Sequence, residues 1–380
     1  MWPLPFELTC FILETACANP ETPFRDKWAW LNVCLAWRAI VLHVRCWRMR
    51  IWLSELDTLI QGVGPELSPE HAFRVQWSRD DCFSVGEVLM RVGKWIGDFL
   101  TTRDVFQLSE IPPKGFSHKL ETLTLHNAQS SRMGWHLSSI LSDLAGVVHL
   151  TIFYDKKGII GLPLLDMVDA LPALRTLRTN MTLFYAPLPM ICRLDALDYE
   201  ANVGNFDSLK KFFRMQGRIK TLCMNHSTSF IDWDQFLPTD LPKSLEVLAC
   251  KGITVNRSIT FAPYLPLLRE LHVGIGCTHR MEVPHEFWTR LPLTLEVLRL
   301  HTPWMNQDHY HALESFWKRP TTRCLGFCTE DETMRNVFGK TATMTCKIHP
   351  HSLYSFEAKR LGFNYSSLFP HVCHKDCQLE

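Results

Sequence analysis

The sequence predicts an α/β chain: a run of short parallel strands joined by return segments, with a small helical module ahead of it. Two observations predict this. One is a six-residue frame, L-x-x-L-x-L, written most cleanly in Leu295-Glu296-Val297-Leu298-Arg299-Leu300 and repeated along the middle of the chain. The other is an apolar, tryptophan-rich segment before the first copy, with Trp2, Trp28, Trp30, Trp37, Trp47 and Trp52 all inside residues 1–52.

Taken in order, residues 1–60 read as the helical module. Leu8, Phe11, Ile12 and Thr15 or Ala16 fall on one helical face, and Pro20 and Pro23 end that helix. A polar loop, residues 19–27, leads into a second helical stretch through Ile40, where Val33, Trp37, Ile40 and Val41 share a stripe. So short and apolar a segment exposes hydrophobic surface, which marks a partner site.

These residues carry a resemblance. L-P-x-E-L (Leu4, Pro5, Glu7, Leu8), then Ile12, Leu13, Ala16 and Cys17, then V-C-x-x-W-R (Val33, Cys34, Trp37, Arg38) and finally Trp47 resemble an F-box. The resemblance covers roughly residues 2–52 and extends to the divergent fungal-type proteins that join an F-box to leucine-rich repeats. It implies a three-helix module that docks on the Skp adaptor of cullin-RING ubiquitin ligases. It also implies adaptor contacts at Leu4, Pro5, Glu7, Leu8, Ile12, Val33, Cys34, Trp37 and Trp47. In that picture Pro5 starts the first helix, Leu8 and Ile12 plug the adaptor, and Trp37 anchors the second helix.

Residues 61–115 read as a linker and an N-terminal cap. Gln61 to Glu70 holds two Gly and two Pro. Beyond it Ser84 is a candidate N-cap for a helix bearing Val88, Leu89, Val92, Trp95, Ile96 and Phe99 at helical spacing.

Residues 116–330 hold the repeats. The frame occupies Leu120-Leu123-Leu125, Val147-Leu150-Ile152, Leu174-Leu177-Thr179, Leu194-Leu197-Tyr199, Ile219-Leu222-Met224, Leu245-Leu248-Cys250, Leu268-Leu271-Val273 and Leu295-Leu298-Leu300, with a worn copy at Thr322-Leu325-Phe327. Steps run from 20 residues (Leu174 to Leu194) to 27 (Leu120 to Val147), the spacing of leucine-rich repeats. One such repeat cannot bury its own apolar face, so stacked neighbours form the core of a curved solenoid, with a parallel sheet on the concave side and helices or loops on the convex side. Leu171-Pro172, Leu241-Pro242, Leu265-Pro266 and Leu291-Pro292 stand just ahead of strands, where Pro ends the return segment and biases the chain to extended geometry. Return segments at 163–171, 206–215 and 308–317 read as helical. Residues 331–380 read as a C-terminal cap and tail.

Along a strand alternate side chains face opposite ways, so the residues between the leucines line the concave face. Among them Arg178, Asp198 and Glu200 form a candidate cross-strand charge cluster, and Lys251, His272, Arg299 and His301 a basic strip. Together they are the candidate substrate-binding residues.

No phosphate-binding glycine loop, dinucleotide fingerprint or zinc-protease motif occurs, and no nucleophile–base pair stands out. The chain is therefore expected to be non-catalytic and to need no cofactor. His371, Cys373, His374 and Cys377 offer four zinc-type ligands, but their crowding argues against tetrahedral geometry. Net charge is +1 over 380 residues, so charge gives no reason to expect nucleic acid. No apolar run nears the roughly 18 residues of a membrane helix, and no signal peptide is read. The 14 cysteines are scattered singly, as in a reducing cytoplasmic or nuclear setting. Two functions fit. One is the substrate receptor of an SCF-type ubiquitin ligase, with adaptor, cullin and a protein substrate as partners. The other is a leucine-rich-repeat interaction scaffold whose N-terminal helices cap the solenoid.

Overall fold

The computed structural model describes residues 5–19, 22–42, 50–67, 71–77, 85–101, 120–125, 144, 146–153, 171–180, 193–201, 206–226, 231–232, 240–254, 264–275, 291–301, 315–316, 319–322 and 324–328. The chain divides into two compact units, residues 1–162 with 166–174, and 163–165 with 175–380.

The first unit opens with three helices, α1 (Phe6–Ala18), α2 (Phe24–Leu31) and α3 (Leu35–Val41). Pro5 sits at the N-cap of α1, where a missing N–H costs nothing, and Glu7 in the first turn complements the helix dipole. The expected single helix through Ile40 is two. Asn32 and Val33 make a turn, and Cys34 caps α3 by accepting the Trp37 N–H at 3.5 Å. Leu13, Cys17, Leu31, Val41 and Leu42 form the buried side of the module. The buried Lys27 ammonium donates to the Cys17 carbonyl in the last turn of α1, where a cation meets the negative end of the dipole.

A strand then begins at once: β1 (Arg50–Trp52) runs into α4 (Leu53–Val63). After β2 (Phe73–Trp77) come α5 (Val85–Val92), β3 (Ile96–Thr101), β4 (Thr122–Leu125) and β5 (His149–Ile152). All pair in parallel with their neighbours, β1 to β2, β2 to β3, β3 to β4 and β4 to β5. Ile51, Val75, Phe99, Leu123 and Leu150 fall in one buried row. The ladder therefore starts well before residue 116, at Arg50 inside the segment read as the helical module, and runs on through the one read as linker and cap. The expected helix running past Val92 stops there: Gly93–Trp95 is one tight turn, and Ile96 and Phe99 belong to a strand.

Two glycines hold this unit together by closeness. Gly97 is the extra residue where the β2–β3 register slips, and a Cβ on it would stand 2.9 Å from Ala72 Cβ. Gly62, on α4, receives the edge of Trp28 from α2, which a Cβ would meet at 2.6 Å. Arg38 of α3 bonds Glu66, just beyond α4, at 2.7 Å. The helical module is thus seated on the first return helix of the ladder.

The second unit holds β6 (Thr176–Thr179), β7 (Ala196–Ala201), α6 (Phe206–Met215), β8 (Thr221–His226), β10 (Val247–Thr254), β11 (Glu270–Ile275), β12 (Val297–His301) and β13 (Cys324–Cys328). The short β9 (Ile231–Asp232) pairs with the far end of β10. The order is β6-β7-β8-β10-β11-β12-β13, parallel throughout. Leu177, Leu197, Leu222, Leu248, Leu271, Leu298 and Leu325 share one register row. The frame's first leucines Leu194, Leu245, Leu268 and Leu295 are also buried. Each buried leucine contributes roughly 1.5–3 kcal/mol, which is why the frame dictates the register.

One turn recurs ahead of the strands. Leu245 N donates to Pro242 O at 3.1 Å, Leu268 N to Leu265 O at 3.2 Å and Leu295 N to Pro292 O at 3.2 Å. Ser244 and Thr294 hydroxyls donate back to the carbonyls of Ile219 and Leu268 in the preceding repeat, at 2.8 Å each. These are leucine-rich-repeat-like units, stacked by apolar rows and stitched by their turns. On the return side Phe212 and Phe213 of α6 are buried, and Asp240 holds Arg214 at 3.1 Å. Among the described residues no helix is long and apolar enough to cross a membrane.

Candidate functional site

Two surfaces were expected to carry function, and the structure treats them differently. The first is the helical module. With Leu13 and Cys17 turned inward, α1 leaves Leu8, Phe11 and Ile12 facing solvent at helical spacing, Phe11 at 67% exposure. Phe6 is exposed beside them. The α2–α3 turn adds Val33 and, at 82% exposure, Leu35. Cys34 between them is exposed, as are Pro5 and Glu7. Trp37 is half-buried and lies on α3, the third helix rather than the second. Leu4 and Trp47 fall outside the described residues. Six large apolar side chains left in water on so small a module are a binding surface in waiting, since monomeric proteins seldom expose such patches without use.

The second surface is the outward face of the ladder in the second unit. Arg178 Nε and Asp198 Oδ2 stand 2.9 Å apart across β6 and β7, the cross-strand pair the sequence suggests. The rest differs from the expectation of an open basic strip. His272 is 2% exposed, and its Nε2 lies 3.3 Å from Glu270 Oε2, two residues back on the same face of β11. A buried imidazole held by a buried carboxylate does not reach an incoming partner. Ala196, Val247 and Ala249 on the same face are buried too, so these strands are covered on both sides, as parallel strands usually are. Cys223 sits beside Asp198 in register, and burial first, then that carboxylate, push its thiol well above the usual range. Cys250 is raised by burial alone. Glu200, Lys251, Arg299 and His301 lie on β7, β10 and β12, but their side chains are outside the described residues.

Sequence reasoning passed over the frame's second position. In the second unit it reads Arg175, Asp195, Lys220, Glu246, Arg269, Glu296, alternating in sign from repeat to repeat. The structure makes them neighbours. Asp195 N and Ala196 N both donate to Arg175 O, Lys220 N and Thr221 N to Asp195 O, and Glu246 N and Val247 N to Lys220 O. Lys220 Nζ lies 3.5 Å from Glu246 Oε1, and Arg269 Nη1 3.9 Å from Glu296 Oε1. Each pair is partly exposed and worth at most about 1 kcal/mol. Together they still favour one order of stacking over a slipped one. The signal was in the sequence, but only after the frames are aligned column by column.

Among the described residues no group of three or more metal-ligating side chains comes together. His371, Cys373, His374 and Cys377 lie outside them.

No family model matches the chain, and no curated protein matches it. Among solved structures it is similar to the crystal structure of a TLR13–ssRNA13 complex, at 16% identity and a TM-score of 0.34. That match covers 69% of this chain and 46% of the other, so the chain spans less than half the length of the protein it matches. A score that low does not establish a shared overall fold; the repeat character of the chain rests on its frame and its register.

Proposed function

We propose that the chain is a non-catalytic substrate-recognition subunit of an SCF-type ubiquitin ligase, working in the cytoplasm or nucleus. The helical module docks the Skp adaptor and, through it, the cullin; the repeats hold a protein substrate. The observation that carries this is the exposed apolar set Leu8, Phe11, Ile12, Val33 and Leu35, on a module whose other side is buried and anchored to α4. It supports the F-box resemblance because Leu8 and Ile12, the residues that resemblance assigns to the adaptor, are solvent-facing. The ligase mechanism is then proximity. Tethering raises the effective concentration of substrate lysines near a ubiquitin-conjugating enzyme, typically into the millimolar range. This chain supplies position and no reacting group.

Leu8→Asp with Ile12→Asp tests it. Both sites face water, so the module keeps its fold while co-purification with the adaptor is lost. Undiminished co-purification refutes the assignment.

The seating of Trp28 on Gly62 and the Arg38–Glu66 pair favour a second reading, in which the helices cap the ladder of a repeat scaffold. Removing residues 1–44 separates the two. A docking module leaves a ladder that melts as before; a cap leaves one that aggregates or melts early.

A further inference from the structure

We infer that the strand-start edge of the second unit is a docking strip for an extended segment of a partner protein, acidic in one half and apolar in the other. Three observations lead there. Arg193, Arg218 and Lys243 stand in the connections just ahead of β7, β8 and β10, three successive neighbours in the ladder, and all three are exposed. Their closeness is fixed by bonds. Ser244 Oγ, next to Lys243, donates to Gly217 O at 3.0 Å and Ile219 O at 2.8 Å, the residues on either side of Arg218. Arg175 Nη1 donates to Arg193 O at 3.4 Å, which adds a third guanidinium to those of Arg193 and Arg218. The next two connections change character: Tyr264 and Leu267 ahead of β11 and Leu293 ahead of β12 are exposed, Leu293 at 79%.

The edge thus reads basic, basic, basic, apolar, apolar. The alternating row two or three residues further on neutralises itself, because Lys220 faces Glu246 and Arg269 faces Glu296. Arg193, Arg218 and Lys243 stand ahead of that row, whose acids Asp195 and Glu246 already lie beside Arg175 and Lys220 in the ladder. From β7 to β12 the strip crosses four inter-strand steps of about 4.8 Å, roughly 19 Å, the reach of about six extended residues. Charge complementarity selects carboxylates for one half, and burial of Tyr264, Leu267 and Leu293 selects aliphatic or aromatic side chains for the other. A protein segment fits better than a nucleic acid, because among the described residues no aromatic side chain interleaves the three cations to stack bases. It fits better than an anionic membrane, because the three cations form a single line flanked by the mixed-charge row of Asp195, Lys220 and Glu246, and not a broad basic face. This inference stands apart from the adaptor proposal, which concerns a different surface.

Fluorescence anisotropy on the full chain tests it. The probe is a labelled peptide of about twelve residues with a run of Asp and Glu followed by Leu and Phe. Matched peptides replace either half with Asn and Ser. The two-part peptide binds most tightly. Arg193→Gln, Arg218→Gln and Lys243→Gln together weaken it at least about tenfold and flatten its salt dependence. Leu267→Ser with Leu293→Ser weakens it as much while leaving the salt dependence. Thermal melts check folding, and the single variants Arg218→Gln and Leu293→Ser, each expected to weaken binding about threefold, carry the same test if a multiple variant unfolds. No binding by the unaltered chain overturns the inference. So does variant binding equal to wild type, or equally tight binding of poly(U) or phosphatidylserine vesicles with the same sensitivity to the variants. Adaptor co-purification is unchanged in every variant, so failure here leaves the adaptor proposal standing.

Discussion

Replacing Leu222 by Ala should open the second unit locally. Leu222 is fully buried on β8, with Leu197 of β7 and Leu248 of β10 beside it in register. Truncation removes three carbons, worth about 2.4 kcal/mol in lost transfer at roughly 0.8 kcal/mol each. The neighbours are pinned by strand pairing on both sides and collapse little, so a cavity term adds to this and the total falls at about 3–5 kcal/mol. In a stacked array each repeat leans only on its neighbours, so the loss is concentrated there. Hydrogen exchange read by mass spectrometry should show amides of β7, β8 and β10 exchanging at least about a hundredfold faster, since 1.4 kcal/mol is about tenfold. Leu293→Ala, at an exposed leucine of the same unit, should change exchange by no more than about twofold. Equal effects from the two substitutions, or an unchanged β7–β8–β10 set, would show that the frame leucines are not what holds the strands.

Further outcomes follow from other contacts. Gly97→Ala should cost about 1–3 kcal/mol, seen as a lower Tm, because the new Cβ on β3 meets the Cβ of Ala72, just ahead of β2, at 2.9 Å. Gly62→Leu should push Trp28 out and free the helical module, read as a red shift in tryptophan emission and earlier proteolysis near Asn19, with the ladder still folded. Cys34 should react with a thiol reagent in the native protein, whereas Cys223 and Cys250 should react only after denaturation, because burial keeps their thiols protonated. The sign of the pH effect follows: the folded state holds those protons longer than the unfolded one, so their contribution to stability is present below about pH 8.5, the ordinary thiol range, and is lost as pH rises above it. Chemical denaturation between pH 7 and 10 should show that fall, and Cys223→Ala with Cys250→Ala should reduce it.

The repeats were legible because eight copies put Leu, Ile or Val at the frame's first two leucine positions, and a period that regular needs no structure to read. The first strands were not. Phe73-x-Val75-x-Trp77 is the frame shortened by one residue, with Gly97 supplying the bulge that restores pairing on β3. A search for L-x-x-L-x-L slides past it. Trp95, Ile96 and Phe99 misled for a different reason: at a helix-to-strand junction their spacing continues the helical period of Val88 and Val92 by coincidence, and Gly93 is the only local sign of the break. In the module, apolar periodicity gave the helices but not the turn at Asn32 and Val33, because a cysteine cap at Cys34 is an uncommon stop-and-start signal. Burial of His272 depends on how Glu270 and the small residues beside it pack, and no frame reveals that.

The sign alternation from Arg175 to Glu296 gives the array a parity. Excising the one unit that carries Asp195 would set Arg175 against Lys220, and duplicating it would set two acids side by side. Gain or loss of units in pairs leaves every contact between opposites intact. The length of this ladder is therefore free to drift in steps of two and resists drifting in steps of one.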